Sequence, residues 1–156
     1  MNIEKTDWIL RVGYGDNFKA SSKYKIWGIK SHSVNAKNFI VNVKNGDRLW
    51  FVIKKSGGKV IAVATYKSHN KRELGPLINI TASNEELGWD NEGNPDSDNN
   101  WDTEIHYENL YNLENCELFT NIIGPAPIRK YSEKCSVNLP NEYQYITKYS
   151  KAFLDI

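Results

Sequence analysis

Apolar and polar positions alternate most regularly in the middle of the chain, where they predict a β-hairpin. Residues 47–53 (DRLWFVI) place alternate apolar side chains on one face, as in a half-buried strand. Residues 54–59 (KKSGGK) supply the Gly-Gly pair that a tight turn needs, and residues 60–66 (VIAVATY) form the returning strand. Gly46 and Asp47 provide a turn at the entry to this hairpin.

Shorter apolar runs predict further strands on both sides of the hairpin. Two lie before it, at residues 8–12 (WILRV) and 24–29 (YKIWGI), and the first is followed by the break Gly13-Tyr14-Gly15. Three follow it, at residues 77–82, 104–110 and 118–123. Residues 84–100 (NEELGWDNEGNPDSDNN) have little apolar character and predict a long polar loop, which in a compact domain is either functional or disordered.

The helical segments are few and short. Asp16 is placed to cap a helix through residues 17–22, and a second helix is expected around residues 36–40. A closing helix is expected from Pro140, with Tyr143, Ile146 and Phe153 on one face. The predicted fold class is therefore α+β: one domain over residues 1–156, with about five or six short, mostly antiparallel strands in a curved sheet or open barrel, flanked by short helices.

Charge changes this picture because it is unevenly distributed along a chain whose net charge is only +1. Residues 1–72 contain 15 Lys and Arg against 4 Asp and Glu, whereas residues 73–156 contain 5 against 15. Such asymmetry favours an anionic partner for the first half, most simply a nucleic acid. A dipolar protein that is merely kept soluble by its two charged regions is the alternative.

The residues of a conventional catalytic centre do not emerge from the sequence. The three histidines are widely spaced, and the two cysteines form no CxxC pair. The acidic residues of the 84–100 loop lack the spacing of an EF-hand. We therefore expect no enzyme activity, no metal and no cofactor. No apolar run approaches the roughly 20 residues of a membrane helix, and the start of the chain lacks a secretory signal, which predicts an intracellular protein.

Three segments in the first half resemble a known family. They are KYKIWGIKS at residues 23–31, KNGD at residues 44–47, and LWFVIKKSGGKVIAVATYKS at residues 49–68. Together they resemble the EVE domains and the related YTH domains of the PUA-like superfamily, and the order of the motifs is closer to EVE. Beyond residue 75 the similarity is limited to the EIHY segment at residues 104–107 and the closing segment. The resemblance implies a PUA-like open β-barrel.

The resemblance also implies a reader of modified bases in DNA or RNA, such as N6-methyladenine. Trp27 matches the tryptophan that forms one wall of the family's aromatic cage, and Gly28 matches the next position, whose backbone meets the base. Asn17, ten residues earlier, matches the reader of the base edge. Trp101 and Trp89 both qualify for the second wall. The expected phosphate contacts come from the lysines near Trp27: Lys23, Lys25, Lys30 and Lys37.

Two other functions remain open from the sequence. The acidic, aromatic loop could dock a basic protein partner, with the barrel serving only as a scaffold. Alternatively, some PUA-like relatives of the ASCH type resemble ribonucleases, which would require Lys30, His32 and an acid to converge on the pocket.

Overall fold

The computed structural model describes residues 5–54, 59–71, 101–113, 143 and 150–155. The strands are β1 (Lys5–Arg11), β2 (Ile26–Ile29), β3 (Arg48–Ile53), β4 (Lys59–Lys71), β5 (Thr103–Asn112) and β6 (Ser150–Asp155). The helices are α1 (Asp16–Ser21) and α2 (Val34–Asn42), with a short 3₁₀ helix at Ser22–Tyr24.

The six strands form one sheet in the order β2-β5-β4-β3-β1-β6. Three neighbouring pairs are antiparallel, whereas β1 is parallel to both β3 and β6. The sheet is therefore mixed, with antiparallel pairs in the majority. It curls into a half-barrel that carries two short helices, which confirms the predicted α+β class and is compatible with an open barrel.

The predicted hairpin is confirmed, since β3 pairs antiparallel with β4 from Arg48↔Thr65 to Ile53↔Lys59. The buried carboxylate of Asp47 explains the turn before it. This carboxylate accepts hydrogen bonds from the backbone N–H of Thr6 at 3.1 Å and of Lys44 at 3.0 Å. It also accepts one from the indole Nε1 of Trp8 at 3.1 Å, so a single side chain joins β1 to the hairpin.

One face of the sheet packs against both helices and forms an aromatic core. Phe18 of α1 lies 4.5 Å from Phe51 of β3 between ring centroids, and Phe51 lies 5.2 Å from Tyr107 of β5. Phe39 of α2 meets Trp8 edge-on at 4.9 Å. Burial of these large rings supplies much of the stability, and it fixes the two helices over the sheet face.

Two predictions about the helices are wrong. Asp16 does not cap α1: Gly15 does, in a left-handed conformation with φ 96°, and Asp16 is the first helical residue. A closing helix cannot reach Phe153, since this residue belongs to β6. Strand pairing with β1 overrides the helical pattern there, because it occupies an edge of β1 that β3 leaves open. The expected strands at residues 77–82 and 118–123 and the loop at 84–100 lie outside the described residues.

Candidate functional site

Two cavities lie side by side at the end of β2 and share three lining residues, Arg11, Trp27 and Trp101. The first, of about 260 Å³, is also lined by Gly28 and Lys30, and we call it the Lys30 cavity. The second, of about 270 Å³, is also lined by residues 12–17, and we call it the Asn17 cavity. The two tryptophans thus stand where the cavities meet.

Trp27 is held rigidly at this junction. It lies on β2 opposite Ile105 of β5, only 8% of its surface is exposed, and its ring is 6.3 Å from that of Phe18. Most of the indole therefore belongs to the core, and the remaining part lines both cavities. The sequence placed this tryptophan in a cage wall; the structure gives it a packing role as well.

Trp101 is half-buried and lies just before β5. The Lys30 Nζ atom lies 5.2 Å from the centroid of its ring, within the range of a cation–π contact. The neighbouring Asp102 holds this segment in place. Its carboxylate accepts hydrogen bonds from the N–H of Ser31 at 2.8 Å and from the Ser31 hydroxyl at 2.6 Å.

Asn17 lines the second cavity together with Trp27 and Trp101. It is half-buried on the first turn of α1, which begins directly after the Gly13-Tyr14-Gly15 turn. A carboxamide both donates and accepts hydrogen bonds, so it can pair with a heterocycle edge that offers one donor and one acceptor. Asn17, Trp27, Gly28 and Trp101 therefore all lie around the two cavities, and their role in binding a base stays a prediction.

The four lysines expected to contact phosphate differ in position. Lys30 lines a cavity, whereas Lys23, Lys25 and Lys37 are exposed and line neither one. Lys25 adopts a left-handed conformation with φ 55° at the start of β2. A phosphate role for these three remains a prediction. Trp89, the alternative second wall, lies outside the described residues.

The lining residues that were not singled out from the sequence include two with large polar or aromatic side chains, Arg11 and Tyr14. Arg11 is the exposed last residue of β1 and borders both cavities. Tyr14, in the turn that follows, is 79% exposed and borders the Asn17 cavity. The Gly13-Tyr14-Gly15 break after β1 was the signal that could have identified them, because residues of a turn that follows a core strand lie at the rim of the sheet. Among the described lining residues, Arg11 and Lys30 are basic and Asp16 is acidic.

A second polar cluster lies around β4 and β5, outside the lining of both cavities. The hydroxyl of Tyr66 is 2.6 Å from Nδ1 of His69, and Nε2 of His106 is 2.6 Å from the Asn70 side-chain oxygen. Burial lowers the pKa of both histidines. For His106 the buried Glu104 opposes this effect, and Lys67 and His69 add to the lowering of the pKa.

Within the described residues, no three His, Cys, Asp or Glu side chains come together as a metal site. His32, which a ribonuclease centre with Lys30 would require, is exposed and lines neither cavity. Among the same residues, no helix has the length and apolar character to cross a membrane.

Comparison with known proteins adds no assignment, since no family model and no curated protein matches the chain.

Proposed function

We propose that the chain binds a methylated base of DNA or RNA, presented as single strand or flipped out of a duplex, where the two cavities meet. The observation that carries this proposal is that Trp27 and Trp101 line both cavities, with Asn17 on one side and Gly28 on the other. A PUA-like fold of the EVE type is part of the same proposal, and the half-barrel, which is compatible with an open β-barrel, supports it.

The energetics of base binding support this arrangement. Taking a base out of its stack costs a few kcal/mol, and stacking on an aromatic side chain contributes about 1–3 kcal/mol per base. A methyl group adds apolar area between the two indoles and so favours the modified base. Asn17 would then read the edge of the base, and the backbone of Gly28 would meet it from the other side.

Size and charge are consistent with the same ligand. Each cavity, at about 260 or 270 Å³, is slightly smaller than the roughly 300 Å³ at which pockets for drug-sized ligands begin, which suits one base. Arg11 and Lys30 at the rim favour a phosphate backbone over a neutral ligand. The role that we propose is binding, without a catalytic step.

The proposal is tested by titrating the intrinsic tryptophan fluorescence with short oligonucleotides. Matched DNA and RNA strands would be unmodified or carry N6-methyladenine or 5-methylcytosine. We expect stronger quenching by one modified strand than by its unmodified counterpart. Binding should be weaker at higher salt, because basic side chains that neutralise phosphates release counterions and added salt opposes this release. Equal affinity for modified and unmodified strands, or no binding of any strand at low salt, would contradict the proposal.

A further inference from the structure

Tyr14 presents a large aromatic ring to solvent at the rim of the Asn17 cavity. The ring is 79% exposed, although Trp27 and Trp101 lie in the lining of the same cavity. An exposed aromatic side chain next to a ligand-sized cavity gains nothing from the core. It does offer a flat surface to whatever enters the cavity.

The backbone around Tyr14 is held in one conformation. Gly13 and Gly15 have φ values of 58° and 96°, which side-chain-bearing residues rarely adopt. The N–H of Gly15 donates to the Val12 carbonyl at 3.0 Å, and the N–H of Lys54 donates to the Gly13 carbonyl at 2.9 Å. The turn is thereby fixed to the end of β3, so the ring projects from an ordered position and costs little entropy to engage.

The hydrogen bond between the Lys54 N–H and the Gly13 carbonyl also holds Lys54 next to the Tyr14 ring. Its Nζ atom lies 5.7 Å from the centroid of the Tyr14 ring, so one face of the ring carries a cation. Single-stranded nucleic acid alternates flat bases with phosphates. Proteins bind it by pairing aromatic surfaces with positive charge, and Tyr14 and Lys54 provide one of each.

We propose that Tyr14 and Lys54 form a second subsite, which takes the nucleotide next to the base held at Trp27 and Trp101. The neighbouring base stacks on the face of Tyr14 that Lys54 leaves uncovered, and the Lys54 ammonium contacts a phosphate. The inference rests on the proposed function. It adds that the ligand is a single strand of at least two nucleotides rather than one extruded nucleoside.

The test uses five-nucleotide strands with N6-methyladenine or 5-methylcytosine in the centre, in DNA and RNA. Companion strands have an abasic residue directly 5′ or 3′ of the modified base. For the wild-type protein we expect one abasic strand to bind about 5- to 100-fold more weakly than the complete strand, as the loss of one stacked base requires. The Tyr14→Ala variant should have about the same affinity for the complete strand as the wild-type protein has for the abasic strand that binds weakly.

The controls separate stacking from a general effect. Tyr14→Phe keeps the ring and should retain wild-type affinity, and Val41→Ala removes a side chain that is also 79% exposed but lines neither cavity. If both abasic strands bind wild type as tightly as the complete strand, the second subsite is wrong while the base site stands. If Tyr14→Ala binds the complete strand normally, the subsite is wrong too. If no strand binds wild type, both proposals fail.

Discussion

The carboxylate of Asp102 accepts two hydrogen bonds from Ser31, one from the backbone N–H at 2.8 Å and one from the hydroxyl at 2.6 Å. Ser31 follows β2 and Asp102 precedes β5, so this contact ties together the two chain segments that carry Trp27 and Trp101. The hydroxyl of Thr103 donates a further hydrogen bond to the same carboxylate at 3.1 Å. The distance between the two indoles therefore depends on a side chain that lines neither cavity.

Asp102→Ala is expected to weaken oligonucleotide binding without removing any group from the cleft. Hydrogen bonds to a charged group contribute about 1.5–3 kcal/mol each in favourable cases, and their loss frees the segment that holds Trp101. We expect about tenfold weaker binding together with a lower free energy of unfolding. Asp102→Asn, which keeps an acceptor for the Ser31 N–H, should restore much of the affinity. A protein that loses stability but binds normally would show that Asp102 does not position the site.

Asn17→Ala tests the reading of the base edge. Loss of one neutral hydrogen bond corresponds to about 0.5–1.5 kcal/mol, so the affinity for the preferred modified strand should fall about 3- to 10-fold. The free energy of unfolding should change little, since alanine is a better helix former than asparagine. Asn35→Ala, at an exposed position of α2, is the matched control. An unchanged affinity in Asn17→Ala would remove this residue from the site.

The histidines His69 and His106 predict a pH-dependent stability. Burial holds their pKa below the ordinary value of 6.5, so the unfolded chain takes up protons first as the pH falls. The free energy of unfolding should be greatest above about pH 6.5 and should decrease as the pH falls below that value. Urea unfolding between pH 7.5 and 5.5 measures this, since most carboxylates are still charged over that range.

Substitution separates the contributions of these histidines. His106→Gln should make the stability less sensitive to pH than that of the wild type, because it removes a histidine whose pKa burial lowers. The same pH dependence in His106→Gln and wild type would show that His106 is not responsible. Oligonucleotide binding should not follow this titration, because His106 lines neither cavity.

A buried ion pair on the sheet face opposite the aromatic core provides a stability test. Asp7 of β1 accepts two hydrogen bonds from Arg48 of β3, at 2.6 and 2.9 Å, and one from Nε1 of Trp50 at 2.8 Å. Asp7→Asn should lower the free energy of unfolding by about 3–5 kcal/mol, because it leaves the Arg48 charge buried without its counter-ion. Denaturant unfolding measures the loss.

Removal of both charges is the informative control for that pair. Asp7→Asn combined with Arg48→Met should be more stable than Asp7→Asn alone, since no uncompensated charge remains and Trp50 keeps an acceptor. Equal stability of the single and double variants would show that the charge of Arg48 is not what makes the substitution costly.

The sequence predicted the elements whose pattern is local. The pairing of β3 with β4 was predicted from the alternation of apolar and polar positions and is confirmed, whereas the predicted Gly-Gly turn lies outside the described residues. The end of β4 did not follow: residues up to Lys71 are polar and belong to the strand because β5 pairs with them. For the same reason Phe153 lies in a strand, since its conformation depends on a partner, β1, that is far away in sequence.

The candidate site, like the fold, could be predicted only in part from the sequence. Asn17, Trp27 and Trp101 were singled out by resemblance, and the structure brings them to the same cleft. Arg11 and Tyr14 were not, because an exposed residue at the end of a strand has no periodicity to distinguish it. Trp27 also packs in the core against Phe18. Trp27→Ala would open a cavity in the core and cost about 3–5 kcal/mol, so it tests folding as much as binding.

The most direct test of the base-binding proposal is therefore made at Trp101, which is only half-buried. Isothermal titration would compare wild type, Trp101→Phe and Trp101→Ala on a modified strand and its unmodified counterpart. We expect wild type to prefer the modified strand, Trp101→Phe to keep part of this preference, and Trp101→Ala to bind both strands equally and weakly. If Trp101→Ala keeps the wild-type preference, the base does not lie between Trp27 and Trp101, and the proposed function is wrong.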